Sequence, residues 1–97
     1  MPHLIWSLRA QQDLSRLYAF LAPRSNNAGR RALLTIREGV RLLQDHPNAG
    51  RAVPDGHGNR EWAIPFGASG YLVIYRIDGE KVVILRVRHM RETKFGA

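Results

Sequence analysis

The sequence predicts a two-layer α+β domain in which a pair of helices packs on one face of an antiparallel sheet. Three observations predict it: a short extended segment opens the chain, two stretches with helical apolar spacing follow, and the remainder has the pattern of strands and turns. The predicted order of elements is therefore β-α-α-β-β-β. Because 97 residues provide one modest core, the chain is expected to form a single domain over 1–97.

The two predicted helices follow each other without an intervening strand. Ser7 is a suitable N-cap for the first helix, and Pro23 closes it. The second runs from about Ala28 to Asp45, because Pro47 disfavours helical geometry at the residue before it. Gly39 is unfavourable inside a helix, and close packing against the first helix would explain its presence. The apolar stripe of the first helix consists of Ala10, Leu14, Leu17, Tyr18 and Leu21.

The rest of the chain is predicted to contain a loop and three strands. The segment from Pro47 to Asn59 is rich in Gly, Pro, Asn and Asp and is expected to be an exposed loop. A short strand is predicted from Arg60 to Ile64. Two longer strands, Tyr71 to Ile77 and Val82 to Arg88, flank Asp78-Gly79, a pair that tolerates the positive φ of a hairpin turn.

Alternation divides the side chains of this hairpin between two faces. The face predicted to join the core consists of Leu72, Ile74, Val83, Leu85 and Val87, and Arg76 shares its parity near the solvent-exposed end. No further element remains to cover the opposite face, so we expect that face to be bare and to meet a partner. Its side chains are partly apolar and aromatic and partly cationic: Tyr71, Val73, Tyr75, Ile77, Val82, Ile84, Arg86 and Arg88.

Composition narrows the class of protein. Absence of cysteine excludes a disulfide framework and a thiolate metal site, and His3, His46 and His57 have no metal-ligand spacing, so no metal or cofactor is predicted. No apolar run is long enough to span a membrane, and the N-terminal segment lacks the features of a signal peptide. A cytoplasmic location is the simplest expectation.

The charge of the chain predicts an anionic partner. Fifteen Lys and Arg residues against eight Asp and Glu residues give a formal net charge of +7. Most of these cations are arginine, which forms forked hydrogen bonds with carboxylates and phosphates. The partner could be a nucleic acid or an acidic protein, and charge alone does not choose between them.

Short motifs occur in order along nearly the whole chain: Trp6, Ala10, Asp13-Leu14, Leu17-Tyr18, Phe20-Leu21, His46-Pro47, Gly50-Arg51, Arg60-Glu61, Gly70-Tyr71, Tyr75-Arg76 and Ile84-Leu85-Arg86-Val87-Arg88-His89. The ordered set resembles the RelE/ParE toxin superfamily, the toxin halves of bacterial type II toxin–antitoxin modules. The run from Gly70 to His89, followed by Met90-Arg91-Glu92, is more similar to the ParE branch.

The resemblance implies a target and a partner. ParE-like toxins act on DNA gyrase and RelE-like toxins cleave mRNA in the ribosome, and a cognate antitoxin neutralises both. Operator DNA would be contacted only through the antitoxin. We expect the antitoxin to contact Leu17, Leu21, Arg30, Arg37 and Arg41. The predicted target-binding surface consists of Arg51, Arg60, Tyr71, Tyr75, Arg86, Arg88 and His89.

A metal-independent ribonuclease is the main alternative. A nuclease needs a base, phosphate-binding cations and an acid, and the candidates are Glu61 as base, His89 as acid and Arg60, Arg76, Arg86 and Arg88 as cations. RelE-like nucleases carry a mid-chain basic cluster, whereas Gly50 to Arg60 has two arginines and no lysine. Phe95 also stands where a tyrosine would be more useful. We therefore assign no catalytic residue, while His89 keeps enzymatic activity open.

A small basic module that binds nucleic acid is the second alternative. Such modules stack bases on aromatic side chains of an open sheet with cations around them, and Tyr71, Tyr75, Arg86 and Arg88 would fit that role. These modules usually alternate helices with strands, whereas this chain places both helices together after the first strand. The order of elements therefore favours the toxin.

Overall fold

The structure, a computed structural model, describes residues 2–92, and at Asn26 only the backbone is described. Two helices pack on one face of a five-stranded sheet with the strand order β1-β5-β4-β3-β2. The predicted two-layer α+β architecture is confirmed. The sheet is mixed, however, because β1 pairs in parallel with β5. The elements are β1 His3–Trp6, α1 Leu8–Leu21, α2 Asn26–Asp45, β2 Arg51–Ala52, β3 Arg60–Phe66, β4 Ser69–Asp78 and β5 Lys81–His89.

The helix boundaries agree closely with the predicted ones. Ser7 caps α1 as expected, since its Oγ accepts a hydrogen bond of 3.0 Å from the backbone N–H of Ala10. α2 begins two residues before the predicted start at Ala28. Neither helix in the described part of the chain is long and apolar enough to cross a membrane.

Two glycines of α2 allow close packing against different neighbours. A Cβ atom at Gly39 would lie 2.7 Å from Cδ1 of Ile64 in β3, and the carbonyl of Gly39 accepts a hydrogen bond from Nε1 of Trp62. The predicted helix–helix explanation for Gly39 is therefore wrong, because this residue packs against the sheet. Gly29 makes the close approach between the helices, where a Cβ would lie 2.9 Å from the ring of Tyr18.

The strands depart from the prediction at their ends. The predicted loop contains the short strand β2, which pairs with the start of β3, and β3 continues to Phe66. At the hairpin, Asp78 still pairs with Lys81, so the two loop residues are Gly79 and Glu80. Gly79 has a φ of 59°, and no residue other than glycine has a positive φ among the described residues. A positive φ at the first loop residue alone is typical of a type II′ turn.

The prediction for the two faces of the β4–β5 hairpin is wrong: the face predicted to be bare packs under the helices, and the face predicted to join the core is the open one. The helices cover the side that carries Tyr71, Val73, Tyr75, Val82 and Ile84, all of which are at most 1% exposed. Both faces of the hairpin are apolar, so alternation alone did not distinguish them. The larger tyrosine side chains fill the space under the helices, and the residues expected in the core lie half-buried on the other side: Leu72, Ile74, Val83 and Leu85.

Val87 is the exception to this exchange of faces, and a β-bulge in β5 explains it. Tyr75 pairs with Ile84, but its neighbour Ile74 pairs with Arg86, so Leu85 is an extra residue in β5. The bulge shifts the alternation by one residue. Val87 therefore opposes Val73 and is fully buried, as was predicted for it on different grounds.

Candidate functional site

The sheet face away from the helices, here called the open face, has an apolar centre and cationic surroundings. Strand register places Leu72, Ile74 and Val83 on it, each half-buried. Arg76 pairs with Val83 on this face and is exposed near the hairpin end, as predicted. The face that it shares with Leu72 and Ile74 is the open face, however, and not the predicted core face. An exposed apolar patch with charged residues around it is typical of a protein-binding surface.

A cleft of about 570 Å³ lies on the open face beside β2, and we call it the open-face cleft. Arg51 and Glu61 oppose each other across β2 and β3 and form an ion pair at this cleft. The Arg51 side chain is 83% exposed, whereas that of Glu61 is 18% exposed. Arg88, Met90 and Leu72 complete the opposite side of the cleft. The cleft thus combines a carboxylate, two guanidinium groups and apolar surface.

Arg88 is held at this cleft by the turn that follows β5. Its NH1 donates hydrogen bonds to the carbonyls of His89, Met90 and Glu92, at 3.2 Å for His89 and 3.4 Å for Met90. Glu92 closes this turn, because its Oε1 accepts a hydrogen bond of 2.8 Å from the backbone N–H of His89. The position of Arg88 therefore depends on the geometry of residues 89–92.

A second cavity, of about 610 Å³, lies on the helix side of the sheet between α1 and the turn after β5. We call it the helix-side cavity. Its apolar lining comes from Leu17, Phe20, Leu21, Phe66 and Tyr71. Its polar lining comes from Arg16, His89, Arg91 and Glu92.

His89 is part of the wall of the helix-side cavity. Its ring contacts that of Tyr71 edge to face, with 5.3 Å between centroids. Its Nδ1 accepts a hydrogen bond of 3.1 Å from the backbone N–H of Arg91. Burial raises the pKa of Tyr71, and the nearby charge of Glu92 adds to this shift. These contacts give His89 a packing and hydrogen-bonding role on the helix side.

An ionic cluster joins α1 to β5, and its central residue is Asp13, which is 3% exposed. Arg86 donates to both carboxylate oxygens of Asp13, at 2.9 and 3.1 Å. The backbone N–H of Val87 donates at 2.8 Å and NH2 of Arg16 at 3.2 Å. Burial by itself would raise the pKa of Asp13, but these hydrogen bonds outweigh it and lower the pKa. The same pairing raises the pKa of Arg86.

No role was predicted for Asp13. One signal could have revealed it: Asp13 lies three residues after Ala10 and four before Leu17, so it falls on the apolar stripe of α1. A carboxylate on such a stripe needs a buried partner. The sequence offered many arginines as candidates, however, and nothing in it singled out Arg86.

Two predicted target-binding residues are wrong, because Tyr71 and Tyr75 lie under the helices, 1% and 0% exposed. The hydroxyl of Tyr75 donates to the carbonyl of Pro47 at 2.7 Å and accepts from the N–H of Gly50 at 2.9 Å. Burial raises the pKa of Tyr75, although the hydrogen bond with Gly50 opposes the shift. Because Tyr71 and Tyr75 are both buried, the base-stacking module loses its supporting observation.

The other five predicted target-binding residues are divided between sites. Arg51 and Arg88 reach the open-face cleft, and His89 lines the helix-side cavity. Arg60 lies opposite Tyr75 and donates to the carbonyl of Gly50 at 2.7 Å, so it fixes the start of β2. Arg86 pairs with Asp13 and acts in the fold.

The predicted antitoxin-binding residues also fall into two groups. Leu17 and Leu21 both line the helix-side cavity. Arg30, Arg37 and Arg41 are exposed on α2 and form no ion pair within residues 2–92. None of these arginines is among the residues that line the cavity, so the two groups are separate features of the helical layer. Phe95 lies outside the described residues.

Known proteins are similar to this chain in sequence and in fold. Residues 4–93 match the family described as ParE toxin of type II toxin–antitoxin system. Toxin RelE1 from Caulobacter vibrioides is 35% identical over 88 residues, which cover 91% of this chain and 92% of that relative.

Two solved structures are similar as well. The chromosomal ParDE system from P. aeruginosa has a TM-score of 0.74 at 25% identity, covering 92% of this chain and 96% of the matched chain. The RelBE2 toxin–antitoxin complex from Mycobacterium tuberculosis has a TM-score of 0.58 at 26% identity, covering 92% and 99%. The chain therefore belongs to the ParE toxin family within the RelE/ParE superfamily, and is the toxin of a type II toxin–antitoxin system.

Proposed function

We propose that this toxin arrests growth by binding DNA gyrase through the open face, without cutting RNA. The observation that carries the proposal is the separation of the candidate acid and base. Glu61 lines the open-face cleft, whereas His89 lines the helix-side cavity. The match to the ParE family supports the same target.

Acid–base chemistry at a phosphate requires both groups within hydrogen-bonding reach of one substrate. A base at Glu61 and an acid at His89 would act from opposite sides of the sheet. Glu61 is also held by Arg51, and Arg60 is occupied by backbone carbonyls. This arrangement favours a binding surface over a nuclease.

Ribosome-dependent mRNA cleavage is the second candidate, and one observation favours it. Glu61, Arg51 and Arg88 meet in one cleft, where a carboxylate and two guanidinium groups could receive a phosphate. The relative from Caulobacter vibrioides is named RelE1. A nuclease would need an acid at this cleft other than His89.

We also propose that a cognate antitoxin neutralises the toxin on its helical side. The similar structures include the RelBE2 toxin–antitoxin complex. Leu17 and Leu21 line an apolar cavity, and Arg30, Arg37 and Arg41 add positive charge on α2 that has no ion pair among residues 2–92. An acidic, amphipathic segment that becomes ordered on binding would match both features. The proposed target also places the active toxin in the cytoplasm.

Two assays with the purified protein separate the candidates. The toxin is added to gyrase holoenzyme during supercoiling of relaxed plasmid, and to ribosomes translating a defined mRNA. We expect inhibition in the first assay and no codon-spaced cuts in the second. Cuts in the second assay without inhibition in the first would refute gyrase as the target.

A charge reversal tests the proposed surface. Arg76 is exposed on the open face and has no ion pair among the described residues. Arg76→Glu should raise the concentration needed to inhibit gyrase about fivefold or more, because it would repel the same partner that the arginine attracts. The matched control is Arg9→Glu, the same change at an exposed residue of α1. Equal inhibition by both variants would show that the open face is not the binding surface.

A further inference from the structure

One short segment separates the two cavities and contributes to both of them. Arg88 and Met90 line the open-face cleft, whereas His89, Arg91 and Glu92 line the helix-side cavity. A displacement of this segment at one cavity would therefore also move residues that line the other cavity. This placement makes residues 88–92 a physical connection between the two proposed binding sites.

Glu92 fixes this segment with both of its carboxylate oxygens. Oε2 forms an ion pair with NH1 of Arg16 in α1, and Oε1 accepts the N–H of His89. The carbonyl of Glu92 in turn accepts a hydrogen bond from Arg88. A continuous chain of contacts thus runs from α1 through Arg16 and Glu92 to the guanidinium of Arg88.

The helix-side cavity has cations at its polar rim and one carboxylate to balance them. Arg16 and Arg91 line it, and Glu92 is the one acidic residue among its described lining residues. The Arg16–Glu92 pair is partly open to solvent, since each side chain is 32% exposed. An incoming carboxylate could therefore reach Arg16 and compete with Glu92. The apolar floor would hold a large apolar side chain from the same incoming segment.

We propose that the antitoxin places an apolar side chain in the helix-side cavity and a carboxylate on Arg16, thereby displaces Glu92, and so releases the turn that holds Arg88 at the open face. This inference rests on the proposed function. Neutralisation then includes a loss of order at the target-binding surface, in addition to any steric block. Because the coupling of two binding equilibria is reciprocal, gyrase bound at the open face would weaken the antitoxin.

The variant Glu92→Gln tests the coupling, because it removes the charge that holds Arg16 and retains nearly the same shape. If Glu92 must be displaced, the variant should bind the full-length antitoxin about fivefold more tightly, since this competition is already removed. The same variant should inhibit gyrase about fivefold less well, because Arg88 is less firmly held. A residue with only a structural role would weaken both interactions.

The matched control is Glu80→Gln, the same change at an exposed residue of the β4–β5 turn that has no ion pair in the described chain. Antitoxin affinity is measured by titration calorimetry and gyrase inhibition by supercoiling, and thermal unfolding confirms that each variant is folded. Opposite changes for Glu92→Gln, with neither change for Glu80→Gln, would support the coupling. Changes in the same direction, a change in one interaction only, or no change would overturn it.

A direct measurement separates failure of the coupling from failure of the proposed target. Solvent exchange of the Arg88 Nη–H protons, which make the bonds to the turn, is followed by NMR in the free toxin and in its complex with antitoxin. Faster exchange in the complex supports release of Arg88, and unchanged or slower exchange overturns it. If the wild-type toxin does not inhibit gyrase, the proposed function fails and this measurement still decides the coupling. If no antitoxin binds at all, the coupling and the proposed neutralisation on the helical side are both overturned.

Discussion

Replacing the buried carboxylate of α1 should destabilise the fold more than any change of charge on the surface. In Asp13→Asn, Arg86 and the N–H of Val87 lose an ionised acceptor, and the new amide presents N–H donors to a guanidinium. Breaking a fully buried ion pair costs about 3–5 kcal/mol. Water can partly replace the lost contacts, because the side chains of Arg86 and Arg16 are 20% and 32% exposed. We therefore expect a loss of about 2–3 kcal/mol in the free energy of unfolding.

Urea unfolding followed by circular dichroism measures this loss, with Asp45→Asn as the matched control. Asp45 is exposed at the end of α2 and has no ion pair among the described residues, so its replacement should cost less than about 0.5 kcal/mol. Equal stabilities of the two variants at neutral pH would refute the assigned role of Asp13.

The pH dependence of this difference has a definite sign. Hydrogen bonds lower the pKa of Asp13 in the folded state, so its contribution is complete above the unfolded pKa of about 4. The contribution is lost as the pH falls through the lower folded pKa. The gap in stability between wild type and Asp13→Asn should therefore narrow in acid. A gap that widens in acid would contradict the reasoning.

Two further predictions concern the packing and the corrected faces. Gly39→Ala should destabilise the protein by about 1–3 kcal/mol in thermal unfolding despite the better helix propensity of alanine, because the new Cβ would lie 2.7 to 2.8 Å from three side-chain carbons of Ile64. Ile64→Ala removes all three carbons, so it should cost less free energy of unfolding in the Gly39→Ala background than in the wild type. Tyr75→Phe should cost about 1–3 kcal/mol by leaving the carbonyl of Pro47 and the N–H of Gly50 without their partner, yet inhibit the target unchanged at a temperature where it is folded. Weaker inhibition by folded Tyr75→Phe would return this residue to the binding surface.

The order of elements could be predicted because each one carries local signals. Ser7 and Pro23 mark the ends of α1, and the helical spacing of apolar residues continues between them. The parallel pairing of β1 with β5 could not be read from the sequence, because it depends on where the two helices return the chain. The strand β2 was missed because two residues are too few to show any alternation.

The candidate site was predicted less well than the fold, and the cause lies in the β4–β5 hairpin, both faces of which are apolar. One extra residue at Leu85 changes the face of everything after it, and a bulge without glycine or proline leaves no signal in the sequence. The exchange of faces is separate from the bulge: Tyr71 and Tyr75 lie in β4, and they were assigned to the wrong side because both faces of the hairpin are apolar. Arg88 still lies on the open face, opposite Leu72, because the bulge reverses the exchange of faces for the residues after Leu85. Its role in target binding stays a prediction.

The edge of β5 beyond this bulge links the packing of α1 to the open face. At Val87 the edge of β5 extends beyond β1, and its N–H and carbonyl find partners in Asp13 and Arg16 of α1. These side chains cover an edge that would otherwise be open to another strand. Arg16 also holds Glu92, so the residue that protects the edge also holds the turn behind Arg88. If the antitoxin binds Arg16 as proposed, we therefore expect changes at both the edge of the sheet and its open face.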